Sequence, residues 1–475
     1  LKFKRFIEDD RTSEKKRRAA VGQRYIEGRH DILKYRLFYY NSDGDLVEDK
    51  TRSNIKIPHP FFRELVWQLS SYMLSNSDNP IRANDNAEGL QDYLDEYFDD
   101  EFWTEIGETL EGADSKGFDY VYGYVGADDR LHFMNADSMG VVEVRAQDTD
   151  DGCQYVIYHF IDRIDKGKKT VKRIWVCDDK QTYYYVQVGD GKIMKDDSQE
   201  TNPKPHVVYT DEKGQKMGSP LGYIPFWRLD NNKKQQSTLH AIKGIIDDYD
   251  LHSCALSNNL VDFDHPLYAV SGYDGSDLDE LMTNLRTKKT VGVDADGGID
   301  IKTVDIPYQA RKEKLEMDEK NIYRFGMGLN TAGLKDTSAT TNIAIKMAYT
   351  LLDLKANRLE SRLKKLLKDI IKVVLAEINE KNHTDFQTSD IYFEFTREVL
   401  VNETENITNE KTQADTVQQQ INTILDIVDQ IGAERALQAI CEVMEWDYEE
   451  VKDGLPEDDQ STAALSNIIT AMGGE

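Results

Sequence analysis

Apolar and polar positions change their period twice along the chain, and the elements follow from those changes. Residues 1–35 read as helical with a basic bias. Asn41–Asp45 (NSDGD) reads as a turn and Asn54–Ile57 as a short extended piece. Phe61–Leu74 has the three- and four-residue apolar steps of an amphipathic helix. Leu90, Tyr93, Leu94, Tyr97 and Phe98 place one or two further helices in Ala87–Glu111. From Phe118 to Asp230 the period falls to two. Tyr- and Val-rich runs alternate with Gly and Asp turns, which predicts antiparallel strands. Their aromatics read as cross-strand packing rather than base-stacking platforms.

A strand ends at Asp230-Asn231-Asn232, and a helix begins near Ser237 with Ile242, Ile246, Tyr249, Leu256, Leu260 and Phe263 as its stripe. Pro266 stops it. A small α/β unit fills the space to Pro307, with a helix over Ser276–Lys288 and a hairpin tipped by Asp294–Gly298. Tyr308, Leu315, Ile322 and Phe325 mark another helix. Gly326, Gly328 and Gly333 then bracket a small, polar loop. The strongest pattern comes next. Leu352, Leu359, Leu363, Leu366, Ile370, Val374 and Ile378 form one face of a helix of about forty residues, roughly 60 Å long. Lys355, Arg358, Arg362, Lys364, Lys365, Lys368 and Lys372 are expected on its other faces, and Ser338, Thr340 or Thr341 can cap its start. After a strand at Ile391–Phe395, Val417–Ile431, Ala433–Met444 and Tyr448–Lys452 read as an acidic helical domain. No internal repeat is found.

Length and charge narrow the class. The 475 residues suffice for two to four domains. The chain begins at Leu1, which leaves room for residues upstream. The first twenty residues lack the apolar core of a signal peptide. No apolar run approaches the ~20 residues that cross a bilayer. Four scattered cysteines fit a reducing compartment and argue against structural zinc. A net charge of −28 excludes a general DNA coater. Glu403–Glu475 holds 17 acids against 3 bases, a net of −14 and half the total, whereas Ile343–Lys381 has a surplus of bases. The Lys15–Arg18 run is expected on solvated surface.

Catalytic motifs are missing. Gly112 and Gly117 have the Walker A glycine spacing but are followed by Phe118-Asp119, with no lysine. There is no HExxH and no GxSxG, and the nine histidines are dispersed. The calcium-loop pattern does not continue beyond Asp45. Asp247, Asp248 and Asp250 could hold a metal, but one exposed helix face is the expectation. No catalytic residue, metal or cofactor is therefore assigned.

The order of these elements is more specific than any one of them. GYIPFWRLDNN at Gly222–Asn232, the IIDDYDLHSCALSNNLVDF helix after it, GQRYIEGRHDIL at Gly22–Leu33, NIKIPHPFFRELVWQLSSYML at Asn54–Leu74 and FMNADSMGVVEV in the β block resemble the portal proteins of tailed bacteriophages. The branch is that of long-tailed phages of Gram-positive hosts, and the resemblance spans nearly the whole chain. It implies an α+β, portal-type fold assembled as a ring of about a dozen copies at one capsid vertex. It implies an α/β wing (1–235, with a return strand in 383–402), a stem of two helices (236–263 and 309–328), and a small clip (264–308). A tunnel loop (329–342), a long tunnel helix (343–382) and a helical crown (403–475) complete it. The implied role is a conduit for DNA packaging and ejection, in the virion and, during assembly, the host cytoplasm. The implied partners are double-stranded DNA, a packaging ATPase (terminase), a head-completion adaptor, and capsid and scaffolding proteins, with no membrane. Two other classes stay open on the residues alone: a metal-dependent nucleic-acid-processing enzyme and a cytosolic scaffolding protein.

The resemblance also directs attention to two groups of residues. Lys335, Thr337, Ser338, Thr340 and Thr341 in the loop are expected to line the channel, with Lys346 as a second ring of charge. A lysine at the loop could equally pair with a neighbouring subunit's acid. Asp277, Asp279 and Glu280, at the head of the clip helix, are expected to dock partners.

Overall fold

A computed structural model describes residues 2–75, 79–126, 128–145, 152–165, 169–210, 216–262, 267–271, 296, 298–302, 307–331, 342–397, 403–444, 446 and 448. These residues form two compact units. One comprises Leu1–Asn330 and Tyr349–Glu398, the other Thr331–Ala348 and Val399–Glu475.

The first unit opens with helices α1 (Lys2–Arg11) and α2 (Glu14–Ile26), then a small hairpin, β1 (Phe38–Tyr40) and β2 (Leu46–Glu48). Helix α3 (Phe61–Met73), strand β3 (Ile81–Ala83) and helices α4 (Leu90–Tyr97) and α5 (Asp100–Lys116) follow. Asp99 caps α5, its side chain accepting from the Phe102 N–H at 2.9 Å. Gly117 ends it at φ +96°, a left-handed conformation that favours glycine, and hands the chain to β4 (Phe118–Val125).

The predicted β region is antiparallel throughout its described pairings. Strand β4 lies between β5 (Leu131–Ala136) and the later β14 (Phe226–Asp230). Strands β6 (Val141–Arg145), β7 (Cys153–Asp165), β8 (Lys169–Cys177) and β9 (Gln181–Val188) make a meander, to which β10 (Met194–Lys195) and β11 (Lys204–Pro205) add at β9. Strands β12 (Val207–Thr210) and β13 (Lys216–Ser219) pair with each other. Phe118, Tyr120, Tyr122, Val141, Val156 and Tyr158 bury one shared core, as cross-strand packing requires.

Helix α6 (Leu239–Asp262) leaves β14 and runs antiparallel to α7 (Tyr308–Gly326). Between them β15 (Leu267–Ser271) pairs with β16 (Gly298–Lys302). The expected clip helix and the other arm of the expected hairpin lie outside the described residues. Helix α8 (Asn342–Asn382) is 41 residues long, and its seven predicted stripe positions are all buried. Strand β17 (Ile391–Phe393) returns to pair with β3. The second unit contains α9 (Glu403–Asp426), α10 (Val428–Ile431) and α11 (Ala433–Met444), packed through Val428, Ala436, Leu437 and Cys441.

Several positions depart from expectation. Four consecutive helical residues spread over about 300° at about 100° per step, so the Lys15–Arg18 run cannot all face water. Lys16 is buried, paired with Asp10 at 3.0 Å and donating to the carbonyls of Ser138 and Val141. Burial lowers its pKa against the pull of Asp10. Lys355 also turns inward. Gly328 is buried rather than set in a loose loop, and a Cβ there would stand 2.1 Å from Leu65 Cδ2. Close approach, not backbone freedom, is what glycine supplies at that position. Leu260, Tyr308 and Phe325 belong to predicted apolar stripes yet are exposed.

Candidate functional site

Helix α6 is set in place by polar side chains, most of them buried or half-buried. Its start is fixed by the Asp230-Asn231-Asn232 turn. The Asn231 N–H donates to Gly117 O at 3.0 Å, and its side-chain amide donates to Gln236 O at 3.0 Å. Asn232 Oδ1 accepts from the N–H groups of Lys234 and Gln236 at 3.0 and 3.1 Å. These asparagines replace the β ladder with local turns as the strand ends. Below the turn, Asp114 is fully buried on α5. It accepts from Lys355 Nζ at 2.9 Å and from the Thr238 hydroxyl, while the Thr238 N–H donates to Asp114 O at 3.1 Å. One carboxylate thus joins α5, the chain leading into α6 and the long helix α8.

The middle of α6 carries Asp247, Asp248 and Asp250, and these do not share an exposed face. Successive helical residues point about 100° apart, and each finds a different partner. Asp247 accepts from Lys243 Nζ at 2.6 Å and from the Tyr25 hydroxyl. Asp248 accepts from Lys314 Nζ of α7 at 2.5 Å. Asp250 is fully buried and accepts from His30 Nδ1 at 2.7 Å, His59 Nδ1 at 2.8 Å and the His59 N–H at 2.9 Å. Burial works to raise the Asp250 carboxyl, but the two histidines outweigh it and hold it below its ordinary value. No cluster of His, Cys, Asp and Glu suited to a metal occurs among the described residues.

Asp250 is also the first rung of a longer zipper. The N–H groups of His59, Ile57, Ile55 and Ser53 meet Asp250 Oδ1, Cys254 Sγ, Asn258 Oδ1 and Asp262 Oδ1 at 2.9, 3.2, 2.6 and 3.0 Å. Alternate residues of the strap therefore match every fourth residue of the helix. Two residues of extended chain advance about 6.6 Å, and four residues of α-helix advance about 6 Å, so the two repeats keep step. Asp250, Cys254, Asn258 and Asp262 stand at i, i+4 spacing in the sequence. That line of small polar acceptors was the available signal, and the apolar stripe hid it.

Of the channel residues expected from sequence, Lys346 lies early in α8 and is exposed. Lys335, Thr337, Ser338, Thr340 and Thr341 lie outside the described residues, as do Asp277, Asp279 and Glu280 of the expected clip. No described helix is long and apolar enough to cross a membrane.

A family model described as phage portal protein, SPP1 Gp6-like, matches residues 5–431. The portal protein of Bacillus phage SPP1 is 26% identical over 386 residues, 81% of this chain and 75% of that protein. The portal protein of Clostridium phage phiCD119 is 23% identical over 411 residues, 80% of this chain and 85% of its own length. Among solved structures, a chain from the neck of an empty GTA particle, computed with C6 symmetry, aligns over 64% of this chain and 76% of its own. The identity there is 14% and the TM-score 0.36.

Proposed function

The chain belongs to the SPP1 Gp6-like phage portal protein family, and from that premise we propose that it closes into a ring of about a dozen copies around a DNA channel. It is a structural protein of the virion, not an enzyme. In this reading the wing, stem, clip, tunnel loop and crown take the boundaries set out from the sequence. The clip, carrying Asp277, Asp279 and Glu280, meets the packaging ATPase first and a head-completion protein later. Lys335 and the hydroxyl side chains around it face the DNA, with Lys346 as a second ring of charge.

The observation that carries the ring is on the two stem helices. Leu260 and Val261 of α6, and Met317 and Phe325 of α7, are all more than half exposed in the single chain. A cyclic ring sets one face of each copy against a different face of the next, and so covers residues that one copy leaves bare. Mass photometry at micromolar concentration, with negative-stain imaging, tests this. The expected result is a closed particle of more than ten copies with a central hole. A population of monomers alone would remove the ring.

A further inference from the structure

Among the described residues, none covers the apolar side chains of the hairpin β1–β2. Phe38 pairs with Glu48, Tyr39 with Val47 and Tyr40 with Leu46. Side chains alternate along a strand, so Phe38, Tyr40 and Leu46 share one face while Tyr39 and Val47 share the other. All five are exposed, Tyr40 at 73% and Leu46 at 59%. An isolated two-stranded hairpin is marginal in water, and this one is apolar on both faces. It is built to be covered.

Its base is fixed at one end of the stem. The Asp49 N–H closes the hairpin onto Leu37 O at 2.8 Å. Four residues later the Ser53 N–H reaches Asp262, the last residue of α6 and the last rung of the zipper. That same stem end holds a second bare patch: Leu260 at 54%, Val261 at 55% and Tyr308 at 57% exposed. The two patches are on different sides. Asn258 faces the strap, and the Asn259 side chain, its amide oxygen turned toward α7, accepts from Arg311. At about 100° per residue, Leu260 points away from the strap side and Val261 points away from α7.

We propose that the hairpin is an arm that docks on the stem end of the neighbouring copy, with Phe38, Tyr40 and Leu46 against that copy's Leu260, Val261 and Tyr308. The proposal rests on the ring reading. Copies in a closed ring are related by rotation without a shift along the axis. A patch can meet only a patch at its own level, and both patches are at the same end of the stem. Charge agrees. The turn Asn41–Asp45 carries Asp43 and Asp45 and no base, whereas Tyr308–Lys312 carries Arg311 and Lys312 and no acid; Glu48 is already met by Arg36 at 3.6 Å and Asp262 by the Ser53 N–H at 3.0 Å. Two hairpins packed on each other would instead set acids against acids.

Cysteine cross-linking of the full chain tests the arm. The double variants Tyr40→Cys/Leu260→Cys and Tyr40→Cys/Tyr308→Cys are oxidised mildly and run on a denaturing, non-reducing gel, beside each single variant. At least one double variant is expected to give a ladder of covalent oligomers reaching the ring, and the single variants to stay monomeric. Mass photometry of the same samples reports assembly separately. Rings of parental size that yield only monomers, or only a bridge within one chain, from both double variants overturn the arm and leave the ring standing. A parent that forms no ring overturns both. As a second measure, replacing Leu37–Asp49 by a Gly-Ser linker should raise the concentration for half-assembly at least tenfold. Unchanged assembly of that variant also overturns the arm.

Discussion

At the scale of single residues, the buried carboxylates hold this chain together. Asp250 has three N–H donors, and the second ring nitrogen of His30 lies 3.3 Å from Tyr25 O. Asp250→Ala leaves a buried histidine and a strap N–H without their acceptor. Breaking a buried, hydrogen-bonded pair from one side costs about 3–5 kcal/mol, so thermal unfolding at neutral pH should show a large fall in Tm. The pH dependence has a definite sign. The Asp250 carboxyl is held below its ordinary value of 3.8. Its contribution is therefore present above that value and fades as pH falls through the folded pKa. Parent and variant should converge on acidification, and a gap that stays constant down to pH 2 would contradict the assignment. None of this was legible from residue type. A histidine or aspartate on a mixed-polarity helix looks solvated until its partner, some 200 positions away in sequence, is placed beside it.

At the scale of elements, period alone located most of the architecture. The stripe from Leu352 to Ile378 is buried as its spacing demands, and the two-residue alternation found the strands. Period could not locate close contacts between elements, because those depend on the absence of a side chain. Gly22 lies within α2, where alanine would ordinarily favour the helix by about 1 kcal/mol. Here a Cβ would stand 1.9 Å from the Ser115 carbonyl oxygen of α5. A backbone atom cannot rotate away, so one of the two helices must shift. Gly22→Ala is expected to destabilise by about 1–3 kcal/mol, opposite in sign to helix propensity, measured by denaturant unfolding. A stabilised variant would mean that α2 and α5 do not meet this closely. The helices α6 and α7 show the complementary failure. Leu260, Tyr308 and Phe325 fit apolar stripes, yet all three are exposed, with no cover from the described residues. Spacing reports that a residue is apolar at the right interval, not which molecule it is meant to touch.

At the scale of the whole molecule, the chain's negative charge and the proposed channel have to be reconciled. Each copy carries −28, so a ring presents DNA with a strongly repulsive body. Passage then needs a few weak attractions, because tight phosphate binding would hold the DNA rather than let it slide. In the proposed channel, the sequence before α8 offers a suitable group. Lys335 is the sole cation of Gly328–Asn342, and the adjacent Asp336 tempers its pull. A ring repeats that lysine once per copy, so a change too small to matter in one subunit is multiplied around the channel. Lys335→Ala removes one positive charge per copy, and Lys335→Glu replaces it with a negative one. If Lys335 touches phosphate, the Glu variant should package or retain DNA less well than the Ala variant, with rings of parental size by mass photometry. Exposed charge pairs are screened by salt, so the difference between the variants should shrink as ionic strength rises. If Lys335 instead pairs with a neighbour's acid, the two variants should disturb assembly and leave DNA retention in assembled particles unchanged. Packaging and retention equal to the parent in both variants would exclude Lys335 as the DNA contact.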